Sequence, residues 1–149
     1  MTKTTNYQLN QWAKSDRIMM DDFNADNAKI DAALKANADA MPRILHGSYT
    51  GDGAESRKID LGFTPKAVYV RPSKGGIYYG SGMTQQQNGG LATATAPVSL
   101  TAYNGTSNPV LTVTAGGFMV YYRELQVNSN TYTAASNANG TVMHYLAIG

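Results

Sequence analysis

Cysteine is absent from this 149-residue chain, and charge is scarce, at 15% of residues. Without cysteine there is no disulfide framework and no thiolate chemistry. Twelve Lys and Arg against ten Asp and Glu leave a net charge of only +2, and the densest basic site is the pair Arg57-Lys58. Nucleic acid demands several phosphate contacts, so it is not an expected partner. No apolar run reaches membrane-spanning length, and no helical membrane insertion is expected. The opening MTKTTNYQLNQW has no apolar core of a signal peptide, so the expectation is a chain folded in a cytoplasm. Histidine is limited to His46 and His144, far apart in the chain. His144 reads as a core histidine. No G-x-S-x-G elbow is present, and Gly80-Ser81-Gly82 lacks its frame. In the C-terminal part the acidic residues are Asp52, Glu55, Asp60 and Glu124. Asp52 reads as a turn residue, and Asp60 and Glu124 as solvated. A hydrolase working through paired carboxylates is therefore a minor reading. The expectation is no enzyme, no cofactor and no metal.

What the chain does have begins with an amphipathic stretch, Ser15 to Met41. Ser15 suits a helix N-cap and Asp16 the first turn. Met20, Phe23, Asn27, Ile30, Leu34, Asn37 and Met41 alternate three and four residues apart, the a/d spacing of a heptad seam. The other face carries Asp21, Asp22, Asp26, Lys29 and Asp39. The stripe is narrow and lasts about three heptads, too little for a lone helix to bury. A helix packed along its own domain is one reading. Self-association is preferred, because nothing else nearby is helical and apolar. Seam residues Asn27 and Asn37 then find partners in neighbouring copies and fix the register. Pro42 stops the helix. The preceding residues read as an extended polar arm with two anchors, Tyr7 and Trp12, which pack on the helix or on a partner.

From Arg43 the character changes to short alternating segments. Strands are expected at Arg43–Ser48, Arg57–Leu61, Lys66–Val70, Ile77–Tyr79, Val98–Tyr103, Val110–Thr114 and Phe118–Tyr122. Weaker ones fall at Gln126-Val127 and Thr131–Ala134 around Asn128-Ser129-Asn130. Ser81 to Ala96 is low-complexity and reads as a loop or hairpin tip. Asn139-Gly140 is a strong turn signal leading into Thr141–Ile148. In that last strand Val142, His144, Leu146 and Ile148 face one way and Met143, Tyr145 and Ala147 the other. Both faces are largely apolar, which predicts a strand that is central or covered on both sides. Roughly seven to nine strands with regular turns suggest an antiparallel β-sandwich. The expected organisation is an arm and helix over 1–42 and a sandwich head over 43–149.

Ten tyrosines are many for this length, and nine lie at or after Tyr49. Tyrosine gives a rigid amphipathic contact, suited with Asn and Gln to the apolar faces and hydroxyls of sugars. Candidate ligand contacts are Tyr78, Tyr79, Gln85, Gln86, Gln87, Asn88, Tyr103 and Asn104, in loops expected at one end of the sandwich. Core or subunit packing is the competing reading for the tyrosines, and a disordered loop for the Gln run. Tyr69 and Tyr145 are assigned to structure. Tyr121 and Tyr122 point to opposite faces, with one available for a subunit contact.

Two segments also carry a resemblance. The run Asp22-Phe23-Asn24-Ala25-Asp26-Asn27-Ala28-Lys29-Ile30-Asp31, preceded by Asn6-Tyr7-Gln8-Leu9-Asn10-Gln11-Trp12, resembles the arm and helix near the N-terminus of many tail-associated proteins of bacteriophages and prophages of Gram-positive bacteria. Gly47–Gly53, Leu61–Val68, Gly117-Phe118 and His144–Ile148 are similar to pieces of the head domain of phage tail fibre and receptor-binding proteins. The resemblance spans residues 6–70 and 110–149; residues 80–108 carry no motif of that family. It implies a mostly β homotrimer whose short helical bundle precedes antiparallel β-sandwich heads. It implies a virion tail component, assembled in the host bacterial cytoplasm. Tyr7 and Trp12 would dock on other tail or baseplate proteins, and the heads would bind a cell-wall or surface polysaccharide. Some fibre tips hold a metal through His-x-His, a motif this chain lacks. The alternative within that class is a structural adaptor or decoration without receptor affinity.

Overall fold

The computed structural model describes Met1–Gly149 and is mostly β, with one helix and three sheets. It divides into two compact units, Met1–Pro42 and Arg43–Gly149.

In the first unit, β1 (Thr2–Lys3) and β2 (Asn10–Gln11) pair antiparallel and lead to helix α1 (Met20–Ala40). The arm is thus not extended; it doubles back. The helix also starts later than Ser15. Met19 holds the N-cap position with no side-chain bond. The reason lies at Asp16, whose carboxylate is taken up elsewhere. It accepts the Ala13 N–H at 2.8 Å and pairs with the Met1 ammonium at 3.0 Å, while Asp16 N–H donates to Ala13 O. That turn ties residues 13–16 to the arm, and Asp21 and Asp22 supply the negative charge of the first helical turn instead.

The arm lies on the Asp22–Asp26–Lys29 stripe. Asn10 N–H donates to Asp26 at 2.8 Å, and the Lys29 ammonium donates to Gln8 O at 2.6 Å. Burial disfavours the Asp26 charge, but the Asn10 N–H and the Lys29 ammonium outweigh it and hold the carboxyl below its usual range. Trp12 is half-buried, and Tyr7 stays exposed beside Ile30, Ala33, Leu34 and Asn37. No helix residue is buried within the chain, and Met20 is 78% and Leu34 63% exposed.

The second unit has eleven strands. They are β3 (Ile44–Thr50), β4 (Ser56–Asp60), β5 (Ala67–Pro72), β6 (Tyr78–Ser81), β7 (Thr84–Gln87), β8 (Gly90–Thr93), β9 (Val98–Thr101), β10 (Ser107–Thr114), β11 (Gly117–Val127), β12 (Asn130–Ala135) and β13 (Val142–Ile148). One sheet has the order β3-β13-β5-β8. The other runs β6-β7-β12-β11-β10-β9, with β4 also on β11. The eleven-residue β11 organises this second sheet, pairing β4 over Gly117–Tyr121 and β12 over Tyr122–Val127.

Alternation explains which face each strand buries. Val68, Val70, Met143, Ala147 and Tyr49 come from the first sheet and Leu111, Phe118 and Val120 from the second, forming one core between them. Leu100, Ala102, Val110, Tyr132 and Ala134 form a smaller cluster around β9, β10 and β12. Two strands, β7 and β8, replace the loop expected over 81–96. Their pairing is remote in sequence: β7 lies parallel to β12 and β8 antiparallel to β5. The turn at Gly116-Gly117 requires glycine twice. Gly116 has φ of +77°, and a Cβ on Gly117 would stand 2.0 Å from Ile59 O.

Asn137, fully buried, clips the 51–55 turn to the segment before β13. Its amide donates to Asp52 at 2.6 Å and to Ala54 O at 2.9 Å, and its backbone O accepts Gly53 N–H. Asn137→Ala removes two donated hydrogen bonds, one of them to the Asp52 carboxylate, and is expected to cost about 1–3 kcal/mol, read from the urea midpoint at pH 7. The Asp52 carboxyl is held below its ordinary value of 3.8, first by the Ala54 N–H and then by the Asn137 amide. A depressed carboxyl stabilises the fold above that ordinary value, and the contribution disappears as pH falls through the folded-state pKa. Asn137→Ala should therefore also reduce the loss of stability as pH is lowered through and below that ordinary value.

Candidate functional site

Three hairpin turns of the second sheet meet at one end. In the turn between β6 and β7, Met83 O accepts the Thr131 N–H at 2.8 Å, at the start of β12. In the turn between β11 and β12, the Asn128 amide donates to the Tyr103 hydroxyl. Tyr103 opens the turn between β9 and β10, and its N–H donates to the Tyr132 hydroxyl at 3.5 Å. Asn104 caps that turn by accepting the Thr106 N–H at 3.0 Å, and Gly105 follows with φ of +85°. Met83, Tyr103, Asn104, Asn128 and Ser129 are exposed there.

The opposite end of β10 and β11 is where the chain enters the head. Gly149 N–H donates to Arg43 O at 2.7 Å, the Arg43 guanidinium lies 4.5 Å from the Phe63 ring centre, and Thr64 accepts the Gly116 N–H from the β10–β11 turn. Eleven residues of β11, each advancing about 3.3 Å, separate that turn from Asn128. The three-turn tip is thus the end of the second sheet farthest along β11 from the point of entry.

The sequence-derived residues divide between two places. Tyr103 and Asn104 are at the tip. Tyr78 and Tyr79 lie on β6 opposite Gln87 and Gln86 of β7, and the Tyr78 hydroxyl donates to Gln85 at 3.2 Å. The remaining amides are engaged internally: Gln86 with Asn88, Gln87 with Gly89 O, and Asn88 with Gly76 O. Both tyrosines stay exposed, while Gln85–Asn88 are half-buried. This stretch is a braced strand with its closing turn, not a loop tip. Sequence reading missed Met83 and Asn128. The Asn128-Ser129-Asn130 turn was visible, but its meeting with Tyr103 depends on remote pairing.

A second feature is an open polar cleft of about 390 Å³, lined by Glu55, Asn108, Tyr122, Arg123 and Glu124. It forms where β11 exchanges β4 for β12. The Arg123 guanidinium is 3.1 Å from Glu55 and 5.4 Å from the Tyr121 ring, and its Nε is the one buried side-chain donor without a partner. Carboxylates, a carboxamide, a guanidinium and a phenol ring are groups that hold hydroxylated ligands. The signal for this cleft in the sequence was the run Tyr121-Tyr122-Arg123-Glu124, where charge interrupts an apolar strand.

No group of three or more His, Asp or Glu side chains is placed to hold a metal ion. His144 is exposed on the outer face of the first sheet, which corrects its reading as a core residue; Tyr69, opposite Leu146, is also partly exposed there. Tyr145 packs against the core. No helix is long and apolar enough to cross a membrane. No protein-family model, curated protein or solved structure matches the chain.

Proposed function

We propose that this chain is a homotrimeric tail fibre protein of a bacteriophage or prophage. In this reading the Met1–Pro42 unit gathers three copies and joins them to the tail, and the head tip binds a polysaccharide of the host surface. The observation that carries it is the position of the tip. Exposed Tyr103 and Met83, with Asn104 and Asn128, occupy the end of the second sheet remote from Arg43. A fibre needs its attachment at one end and its recognition at the other. The resemblance of the arm and helix to tail-associated proteins supports the attachment half. The helix itself supports assembly: its whole seam is exposed, and a helix draws most of its stability from packing an apolar face.

Labelled protein is expected to bind host cells and isolated cell walls, and in excess to block phage adsorption. Tyr103→Ala should weaken that binding about tenfold while leaving the melting temperature within a few degrees. Wild-type protein that enters virions yet binds no cells would support the adaptor reading. Glu55 and Glu124 share one cleft, so soluble sugar released from cell walls would instead indicate hydrolysis.

A further inference from the structure

The outer face of the β3-β13-β5-β8 sheet divides into two halves along its strands. Near the entry of the chain it is largely apolar. Ile44, Ile148 and Ala67 form one row there, and Leu146, Tyr69 and Leu91 stand beside His46 in the next. At the other end it is polar and cationic. Ser48, His144 and Arg71 lie side by side on β3, β13 and β5, and Thr50 is paired with Val142 in the row beyond. Ser73 N–H donates to Val142 O at 2.9 Å, which brings the loop after β5 to the same end. There Ser73, Lys74, Gly140, Thr141 and Val142 line an open pocket of about 440 Å³. Its far wall is held by backbone bonds: Gly140 N–H donates to Gly51 O at 3.0 Å, and Gly51 N–H to Thr141 O at 2.9 Å.

The cations at this end have no acid to meet. Arg57, Lys58 and Arg123 each pair with a carboxylate, whereas Arg71 and Lys74 do not. Arg71 Nε donates to Pro72 O at 3.3 Å, which leaves the two terminal guanidinium nitrogens free. No acidic residue lies on this face of the sheet. Asp52, two residues beyond Thr50, is taken up by the Ala54 N–H, the Asn137 amide and Arg57. Gathering cations without a counter-charge costs stability, and an anion that they share offsets that cost. We propose that this end of the sheet binds an organic phosphate, with its oxyanion on Arg71, Lys74 and His144 and its organic part in the pocket. The donor set argues for phosphate. A guanidinium fork and an ammonium are the side chains that take up phosphate oxygens, and the exposed Ser48 and Ser73 hydroxyls add neutral donors. Donors spread over three strands and a loop suit a tetrahedral anion better than a planar carboxylate. Size argues for an ester. The pocket is in the roughly 300–1,000 Å³ range of small-molecule sites, far more than a bare ion fills. Nucleic acid would need several phosphate contacts in a row, and Arg71 and Lys74 are the only Arg or Lys side chains here. The site is on the other sheet from Tyr103 and Asn104, and it stands whether or not that tip binds a sugar.

Amide NMR of the isotope-labelled full chain, titrated with glycerol phosphate, tests this. The signals of Ser73, Lys74, Gly140 and Thr141 are expected to move saturably, and glycerol or sodium chloride at matched concentration should not move them. The double variant Arg71→Gln/Lys74→Gln should weaken the binding about tenfold or more. Its circular dichroism spectrum and melting temperature should not change, because both side chains are exposed. Tyr103→Ala, at the tip, should bind glycerol phosphate like wild type, so a failure of the tip reading and a failure of this one are separable. The proposal falls if no saturable shift appears, or if the double variant binds like wild type. It falls also if glycerol moves the same signals, which would make the pocket a polyol site, or if acetate moves them as strongly, which would give it to carboxylates. An oligothymidylate that binds where glycerol phosphate does not would assign the cations to nucleic acid instead.

Discussion

Phe118→Ala is expected to destabilise the head by about 3–5 kcal/mol, the cost of removing a buried phenyl ring and leaving its cavity. Phe118 is fully buried in β11, between Ile59 of β4 and Val113 of β10. Its ring centre lies 5.3 Å from Tyr145 in an edge-to-face arrangement and 6.3 Å from Tyr49. Both tyrosines belong to the opposite sheet, so this ring joins the two layers. The neighbours cannot close in, because β11 is held by β10 and β4 on either side. A domain of this size has only roughly 5–15 kcal/mol to lose, and its melting temperature should fall by about 15 °C or more. Phe118→Leu keeps most of the volume and should lose less than half as much. Thermal and urea unfolding measure both. A shift of only a few degrees in Phe118→Ala would mean that the sheets are joined elsewhere.

The same contacts show why part of the fold could be read from the sequence. β11 alternates, with Phe118 and Val120 on the face that meets the shared core, and alternation is a local signal. β7 and β8 escaped it because their cover comes from afar. Gln85 and Gln87 are half-buried by pairing with β12, and Ala92 of β8 is fully buried against the main core. Polar and small residues give no period to count. Helix α1 was legible as a helix from its apolar spacing but not in its start, since Ser15 has the chemistry of a cap while Asp16 is bound into the arm. Asn104 was legible as a turn residue and Tyr103 as the end of the strand before it; the convergence of Met83 and Asn128 on that turn was not, because it is set by strand order. β13 showed two apolar faces, and the chain covers only one of them. His144 lies on the other, which is why a local reading placed it in the core.

Ile30→Asp should have opposite sizes of effect in a single chain and in an assembly, and that contrast tests the proposed bundle. In the single chain Ile30 is 43% exposed, beside Tyr7, Ala33, Leu34 and Asn37. Asp there costs the difference in helix propensity, about 0.5 kcal/mol or less, and the partial apolar contact with Tyr7 and Leu34. Lys35 and Asp39 add a contact four residues apart at 2.5 Å, but both are well exposed and contribute little. In a three-helix seam the same substitution would bring three carboxylates together in an apolar layer. Desolvation there costs on the order of several kcal/mol per ion, with no cation on the seam to offset it. Wild-type chain is expected to sediment at three times its 15.9 kDa mass, and Ile30→Asp at that mass. Its helical signal should fall as well, because no part of α1 is buried within the chain. The substitution Asp21→Ile, off the seam, should leave the assembly intact and separates loss of the apolar ridge from a general effect of altered charge. An Ile30→Asp protein that remains a stable trimer would show that the ridge is not what holds the copies together.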